Sequence, residues 1–247
     1  MSKNTPEQQL SHPPTFTEAT GDRTPDSNAR KGGLSLILTA LATGVAVGGR
    51  VAAGADQPTL AESLVVISES SGLYAIGGAG RLISGVALVA GAWFLSKTWI
   101  IRERRGTSRV PALFAVSGLF TILSGACAVA LAASGPEATL AVETTAYLRW
   151  LTGTIGFTAA GLALMLAARY QWKTGGPIRY IAPLSAVIGI AMQFIWIDGA
   201  TGMHQISGVT FTLWLLAIGA MLVTGRVERH FAAMPKRDSA AWAQQTP

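Results

Sequence analysis

Long apolar segments separated by short polar connections are the main pattern along this chain. Six of them are close to the roughly 20 residues that an α-helix, rising about 1.5 Å per residue, needs to cross about 30 Å of hydrocarbon. Backbone polar groups at membrane depth need internal hydrogen bonds, so each segment is predicted to be a helix. The six predicted spans are residues 33–49, 80–101, 110–133, 148–168, 179–197 and 205–225.

The two ends of the chain lack this pattern. Residues 1–31 are rich in Pro, Ser, Thr and Asn and contain few large apolar residues, which predicts a disordered cytoplasmic tail. Residues 227–247 follow the last apolar segment and are predicted to form a second cytoplasmic tail. The membrane domain is therefore predicted to extend over residues 32–226.

One connection has a pattern of its own. Between the first two spans, Leu60, Leu64 and Ile67 recur at offsets of four and three, while polar residues occupy the other faces. This spacing predicts an amphipathic helix over residues 58–72, lying at the outer surface of the membrane. Its two glutamates and several serines argue against a seventh span.

The composition agrees with a membrane protein. Of the 247 residues, 50% are hydrophobic and only 13% are charged, and the mean hydropathy is +0.40. A soluble domain of ordinary composition carries about twice that share of charge. The sequence therefore predicts an all-α integral membrane protein with six transmembrane helices.

The net charge of +6 comes from an uneven distribution of Lys and Arg. Sixteen of the 19 fall in the tails or in connections predicted to lie on one side, and only Arg50, Arg81 and Arg149 fall on the other. By the positive-inside rule, both termini are predicted to be cytoplasmic in a bacterial inner membrane. Topology accounts for the basicity, and the chain lacks the basic and aromatic patch of a nucleic-acid-binding protein.

A short motif occurs three times. It consists of Arg or His, then Ile or Leu two residues on, Ser or Thr at the third and Gly at the fourth, and it begins at Arg81, Arg149 and His204. Each copy opens a long apolar segment, which predicts three tandem helical hairpins over residues about 33–101, 110–168 and 179–225. The three basic groups are expected at helix N-termini, at the outer boundary of the hydrocarbon.

The motif predicts a site at the outer face. Offsets of three and four place the hydroxyl and the glycine on the helical face of the basic group, a small polar face suited to turning inward. Glu143 and Asp198 each precede the basic group by six residues. These groups either pair as acid and base between hairpins or bind an anionic headgroup, carboxylate or phosphate. The candidate binding residues are Arg81, Ser84, Glu143, Arg149, Trp150, Thr152, Asp198, His204 and Ser207.

No cofactor is predicted from the sequence. His204 is the sole histidine near a predicted span, so it can ligate haem only if a partner supplies the second ligand. The stretch from His204 to Gly208 resembles the His-Arg-x-Ser-Gly segment of membrane-anchor cytochrome b subunits of succinate dehydrogenases, with Gln205 in place of the Arg. That resemblance covers five residues, and it implies an anchor subunit associated with haem or quinone.

Three functions are compatible with the sequence. No catalytic or metal-binding motif is present, so the leading prediction is a non-enzymatic accessory or assembly subunit that binds a partner protein or lipid near its outer face. The first alternative is a transporter of a small solute or lipid with an outer-face anion site, because related repeats often meet at a transport site. The second is the haem or quinone anchor. Membrane lipids and other membrane subunits are the expected partners, and nucleic acid is not.

Overall fold

The regular structure of the protein is α-helical throughout the part of the chain that the structure describes. The computed structural model describes residues 26–103, 106–194 and 201–233, and of residues 177 and 201–205 it describes the backbone alone. The helices are α1 Ser27–Ala52, α2 Leu60–Glu69, α3 Ser71–Ser96, α4 Trp99–Arg102, α5 Arg109–Ala132, α6 Leu140–Thr174, α7 Gly176–Arg179, α8 Ala182–Ala191, α9 Thr201–Val223 and α10 Arg226–Ala233.

Within the described residues, five helices are long and apolar enough to cross a membrane, namely α1, α3, α5, α6 and α9. They make this chain a multi-pass membrane protein. The predicted span over residues 179–197 corresponds to α8, which has only 10 residues. A helix of that length rises about 15 Å, roughly half the thickness of the hydrocarbon. The sixth span, and with it the division into three hairpins, is therefore not confirmed.

The first helix begins earlier than predicted. Residues 27–31, which the sequence assigned to the disordered tail, form the first turns of α1. The Asp26 side chain caps this helix by accepting a hydrogen bond of 2.9 Å from the Asn28 backbone N–H, a common way to satisfy an orphan amide. Residues 1–25 and 234–247 lie outside the described part of the chain, and the first residues of the predicted C-terminal tail belong to α10.

The connection between α1 and α3 contains a helix, as the sequence predicted. Helix α2 starts with a capping box, in which Thr59 and Glu62 satisfy each other's backbone N–H groups. Leu64 and Ile67, two of the three apolar residues that defined the pattern, are buried in a cluster with Tyr74 and Leu131. The apolar stripe therefore packs α2 against the ends of α3 and α5.

Neighbouring helices pack through glycines. Five pairs of helices make the main contacts: α1 with α3, α1 with α9, α3 with α5, α5 with α6, and α6 with α8. Without a hydrophobic drive in lipid, close approach of backbones at small residues supplies the packing energy. At four of these interfaces, one glycine faces another so closely that an added Cβ would lie within 3.1 Å of the partner glycine's backbone. The pairs are Gly49–Gly77, Gly85–Gly118, Gly161–Gly189 and Gly33–Gly219.

Hydrogen bonds join three elements at one end of the bundle. The Asp26 backbone N–H donates to Glu228 Oε1 over 3.0 Å, and the Trp99 backbone N–H donates to Asp26 Oδ2 over 3.0 Å. The start of α1, the start of α4 and helix α10 therefore meet there. Both ends of the described chain lie at the same end of the bundle, which we call the inner end, and the opposite end is the outer end.

The inner-end contact gives a first testable prediction. Burial raises the pKa of the Glu228 carboxyl above its usual value of 4.5, so the folded state favours the protonated form. The stability that this group contributes is present below the unfolded-state pKa and is lost as the pH rises through the folded-state pKa. We therefore expect Glu228→Gln to unfold at a higher temperature than the wild type at pH 7.5, with the difference disappearing near pH 4.

Thermal unfolding in detergent at several pH values measures this effect. Glu137→Gln, which neutralises an exposed carboxylate in the connection between α5 and α6, is the matched control and should not change the pH profile. A Glu228→Gln protein that is less stable than the wild type at pH 7.5 would contradict the prediction.

Candidate functional site

A cavity of about 120 Å³ lies between the helices. Residues of α1, α3, α5, α6 and α9 line it, so every helix that is long enough to span the membrane contributes to its wall. Three of the lining residues are arginines, one each from α1, α3 and α6: Arg50, Arg81 and Arg149. These are the same three cations that the sequence places away from the basic side of the chain.

Arg81 occupies the interior of the bundle because a glycine faces it. Its Nη2 atom lies 3.2 Å from the place where a Cβ of Gly153 would stand, so a side chain at residue 153 would compete for this space. The Arg81 Cζ lies 5.5 Å from the centroid of the Phe157 ring, a distance at which a guanidinium is attracted to an aromatic face. Helix α6 thus supplies both the room and the surface for the Arg81 side chain.

Arg149 is held in a similar way by two other helices. Its Cζ lies 5.6 Å from the centroid of the Tyr74 ring on α3. Its backbone carbonyl accepts a hydrogen bond of 3.0 Å from Ser124 Oγ on α5. An aromatic face therefore stands next to each of these two guanidinium groups, which attracts the cation without neutralising it.

The three arginines differ in their ion pairing. Arg50 forms an ion pair with Asp56 at the outer end of the cavity. Within the described part of the chain, no carboxylate oxygen lies within 4.0 Å of the guanidinium nitrogens of Arg81 or Arg149. Two cations therefore face the same cavity without a described counterion.

The Tyr74 hydroxyl adds an unsatisfied polar group to the outer part of the cavity wall. The Tyr74 side chain is only 3% exposed, and its Oη makes no hydrogen bond with the described residues. The Arg50 Nε is also buried and makes no hydrogen bond with the described residues. Buried polar atoms are nearly always hydrogen-bonded, so two unpaired donors on one wall indicate a place for an acceptor.

Besides apolar residues, the deeper part of the cavity wall carries the hydroxyl residues Thr39, Thr43, Ser84, Ser117 and Thr121. Thr39 and Thr43 donate to carbonyl groups one turn earlier in α1, and Thr43 Oγ1 also pairs with Ser84 Oγ at 2.9 Å. These hydroxyls are thus already engaged. The apolar lining residues here are Leu88, Phe157, Ala160 and Phe211.

An aromatic cluster lies next to the inner end of the cavity. The Trp214 ring on α9 lies 6.0 Å from the ring of Phe114 on α5 and 6.4 Å from that of Phe211. Its Nε1–H donates to Ser185 Oγ over 2.7 Å, and Ser185 Oγ–H faces Gln171 Oε1 at 2.7 Å. This cluster joins α5, α6, α8 and α9 and separates the cavity from the inner end of the bundle.

The structure brings some of the predicted site residues together. Arg81, Ser84 and Arg149 line the cavity. The hydroxyl residues of the three motifs, Ser84, Thr152 and Ser207, are 5%, 8% and 5% exposed, so the polar face of each motif turns inward as expected. That shared burial accompanies the predicted repeat but does not establish it.

Other predicted site residues lie elsewhere or outside the description. Glu143 and Trp150 are exposed on α6 and do not line the cavity. His204 belongs to the first turn of α9, but its side chain lies outside the described part, as does Asp198 altogether. Of the three basic groups that begin the motifs, only Arg81 and Arg149 therefore have described side chains.

The expected position of the two arginines at helix N-termini is wrong. Helix α3 begins at Ser71, ten residues before Arg81, and α6 begins at Leu140, nine residues before Arg149. The field of a helix dipole falls off within the first turn, so the helix start contributes little at either guanidinium. The unfavourable energy that the site must offset therefore comes from partly burying the two guanidinium groups in the bundle, and not from the helix dipole.

The sequence-based prediction missed Arg50, Asp56 and Tyr74. Arg50 carried a signal, because it is the third cation on the side of the chain that is poor in Lys and Arg. Tyr74 carried none, since it lies in a stretch that was assigned to a connection. Helix α3 extends nine residues beyond the predicted start of its span, and this extension places Tyr74 on the cavity wall.

Comparison with known proteins gives no relative: no protein-family model, no curated protein and no solved structure matches this chain significantly.

Proposed function

We propose that this membrane protein binds an anionic ligand in the cavity between its helices, with the anion held by Arg81 and Arg149. The observation that carries this proposal is that both guanidinium groups face one cavity and lack a described counterion. Arginine offers a planar set of N–H donors that matches a carboxylate or a phosphate. The unpaired Tyr74 hydroxyl on the same wall supplies one further donor.

The energetic balance supports a ligand over a purely structural role. Removing a charge from water costs several kcal/mol even after relaxation, whereas an aromatic neighbour returns about 0.5 to 2 kcal/mol. Arg81 and Arg149 are partly buried, and the rings of Phe157 and Tyr74 offset only part of the cost of moving their two guanidinium groups out of water. A bound anion offsets the remainder through Coulomb attraction and charge-assisted hydrogen bonds.

Inorganic phosphate serves as the probe of this proposal. We expect phosphate to raise the unfolding temperature of the wild type, since a ligand of the folded state stabilises it by about 2.7 kcal/mol at 100 times its Kd. A hydrogen bond to a charged group contributes about 1.5 to 3 kcal/mol. Arg149→Gln should therefore need roughly tenfold or more additional phosphate for the same stabilisation, measured by thermal unfolding in detergent with phosphate titrated against chloride.

Arg169→Gln is the matched control for this measurement. Arg169 is on the same helix as Arg149, and the substitution removes the same charge, but Arg169 is exposed near the other end of α6. Its phosphate response should equal that of the wild type. If phosphate stabilises none of these proteins, or stabilises Arg149→Gln as strongly as the wild type, the proposal is wrong.

We further propose that the protein resides in a bacterial inner membrane with both termini in the cytoplasm. Sixteen of its 19 Lys and Arg residues fall in segments predicted to lie on one side, and the hydrogen bond between Asp26 and Glu228 supports placing both ends of the described part of the chain on the same side. The arginines of the cavity would then lie toward the outer side of the membrane. Labelling of single cysteines introduced near Asp26 and in the 134–139 connection, in intact cells, tests this orientation.

Transport of the anion is a second candidate function. It is favoured by the aromatic cluster of Phe114, Phe211 and Trp214, which separates the cavity from the inner end. A barrier on one side of the substrate site is one element of an alternating-access cycle. Uptake of radiolabelled phosphate into proteoliposomes, lost in Arg149→Gln and kept in Arg169→Gln, would support transport over simple binding.

The accessory-subunit role and the haem or quinone role predicted from the sequence remain proposals. Co-purification of a stoichiometric partner from native membranes tests the first. An absorption spectrum of the same preparation tests for haem bound through His204.

A further inference from the structure

The cavity has two chemically different halves. Its outer half carries Arg50, Arg81, Arg149 and the unpaired Tyr74 hydroxyl. Its inner half carries Leu88, Phe157, Ala160 and Phe211, together with five hydroxyl residues, of which Thr39, Thr43 and Ser84 already bond within the protein and Ser117 and Thr121 are the other two. A ligand that fills both halves must combine an anionic group with an apolar part.

The shape of the cavity limits the apolar part. On α6 the lining residues extend from Arg149 to Ala160, and on α3 from Tyr74 to Leu88, which corresponds to about 16 to 21 Å along the helices. The volume over this length is about 120 Å³, well below the roughly 300 Å³ at which pockets for drug-sized ligands begin. The cavity is therefore long and narrow, and it admits one unbranched chain more readily than two.

The charge of the outer half limits the anionic group. Arg50, Arg81 and Arg149 contribute three positive charges, and Asp56 contributes one negative charge, so the sum is +2. Complete compensation needs two negative charges. A phosphate monoester, whose second pKa is about 6, carries nearly this charge at neutral pH, whereas a carboxylate carries one.

We propose that the ligand is a single-chain amphiphile with a phosphate monoester head, bound with its head among the three arginines and its chain directed toward Phe211. This inference rests on the proposed anion site and names the ligand class for it. The phosphate oxygens accept hydrogen bonds from the guanidinium groups of Arg81 and Arg149 and from the Tyr74 hydroxyl. The chain replaces water along the apolar half of the cavity.

Four probes test this ligand class: inorganic phosphate, octyl phosphate, octanoate and dioctanoyl phosphatidic acid. Binding is measured by calorimetry on the full chain in nanodiscs of phosphatidylcholine. Each buried methylene strengthens binding, so octyl phosphate should bind at least about tenfold more tightly than inorganic phosphate or octanoate. Dioctanoyl phosphatidic acid, which has the same type of head and two chains, should not exceed inorganic phosphate.

The charge of the head is tested by pH. Octyl phosphate passes from a monoanion to a dianion between pH 5.5 and 7.5, since the second pKa of a phosphate monoester is about 6. Its affinity should rise over this interval, while that of octanoate, which is already ionised, should not.

The position of the chain is tested by a substitution at Gly208. This glycine lines the cavity on α9, and an added Cβ would meet no atom of the described residues within 4 Å, so a larger side chain is expected to enter the cavity. Gly208→Leu should lower the affinity for octyl phosphate by at least about tenfold, toward that for inorganic phosphate, whereas the affinity for inorganic phosphate should fall much less. Gly44→Leu, at an exposed glycine of α1 whose Cβ would also meet nothing within 4 Å, should behave as the wild type.

The possible outcomes separate this inference from the anion site itself. If inorganic phosphate binds in an Arg149-dependent way but octyl phosphate binds no more tightly, the ligand is a free anion and the amphiphile inference is overturned alone. Equal affinities for octyl phosphate and dioctanoyl phosphatidic acid, or an unchanged affinity in Gly208→Leu, overturn it as well. If neither inorganic phosphate nor octyl phosphate binds, the anion site fails together with it.

Discussion

Replacing Arg81 and Arg149 together by glutamine is expected to raise the unfolding temperature of the ligand-free protein and to abolish its response to phosphate. Stability and function should therefore change in opposite directions. Both guanidinium groups face the same cavity without a described carboxylate within 4.0 Å, so their removal relieves two uncompensated charges and their mutual repulsion. Natural sites often retain such costs for the sake of binding.

The size of the expected rise in unfolding temperature follows from two opposing energies, the cost of removing each charge from water and the gain from its aromatic neighbour. A fully buried charge costs several kcal/mol, Arg81 and Arg149 are partly buried, and the aromatic contacts with Phe157 and Tyr74 return about 0.5 to 2 kcal/mol each. A net gain of at least about 1 kcal/mol per arginine corresponds to about 2 to 4 °C for a chain of this size. The double variant should therefore unfold at least about 4 °C above the wild type, as measured by thermal unfolding in the same detergent without added anion.

A matched pair of exposed cations provides the control. Arg109→Gln with Arg169→Gln removes the same number of charges from exposed sites on α5 and α6, and surface charges contribute little to stability. The control should unfold near the wild-type temperature and keep its phosphate response. A lower unfolding temperature for Arg81→Gln with Arg149→Gln would mean that the two arginines stabilise the bundle, as in the acid and base pairing that the sequence also allowed.

The apolar pattern predicted most of the helices but not all of their limits. The core of each long helix coincides with a predicted span, because burial in hydrocarbon requires a continuous apolar run. The ends differ more. Helix α6 begins at Leu140 and α3 at Ser71, eight and nine residues before the predicted spans, since a helix continues beyond the membrane wherever capping and local packing sustain it.

The cavity could be predicted only in part. The sequence identifies Arg81 and Arg149 as unusual, because they oppose the positive-inside tendency, and it places the small faces of their motifs inward. It does not reveal which helices are neighbours, since antiparallel packing partners are set by contacts distant in the chain. The pairing of Arg50 with Asp56 and the place of Tyr74 on the wall depend on those contacts.

The glycine contacts that set these neighbours lead to the second large prediction. We expect Gly85→Val to disrupt the packing of α3 against α5. A Cβ at residue 85 would lie 2.6 Å from the Gly118 carbonyl oxygen and 2.8 Å from the Ile122 backbone nitrogen. Both atoms belong to backbone and cannot move aside as a flexible side chain does. The two helices must therefore separate, which widens the wall of the cavity as well.

Overpacking typically lowers the free energy of unfolding by about 1 to 3 kcal/mol. We expect Gly85→Val to be at the upper end of this range or above it, because separation of two helices weakens contacts along their whole length. Gly44→Val provides the matched control, since it introduces the same β-branched residue into a helix where an added Cβ would meet nothing within 4 Å. The helix-propensity term is then shared by the two variants, and only the close approach differs. Thermal unfolding and size-exclusion profiles in detergent should show a destabilised Gly85→Val protein beside a near-native Gly44→Val protein. Equal unfolding temperatures for the two variants would mean that α3 and α5 do not approach each other at Gly85. The helices that line the cavity would then have to be arranged differently.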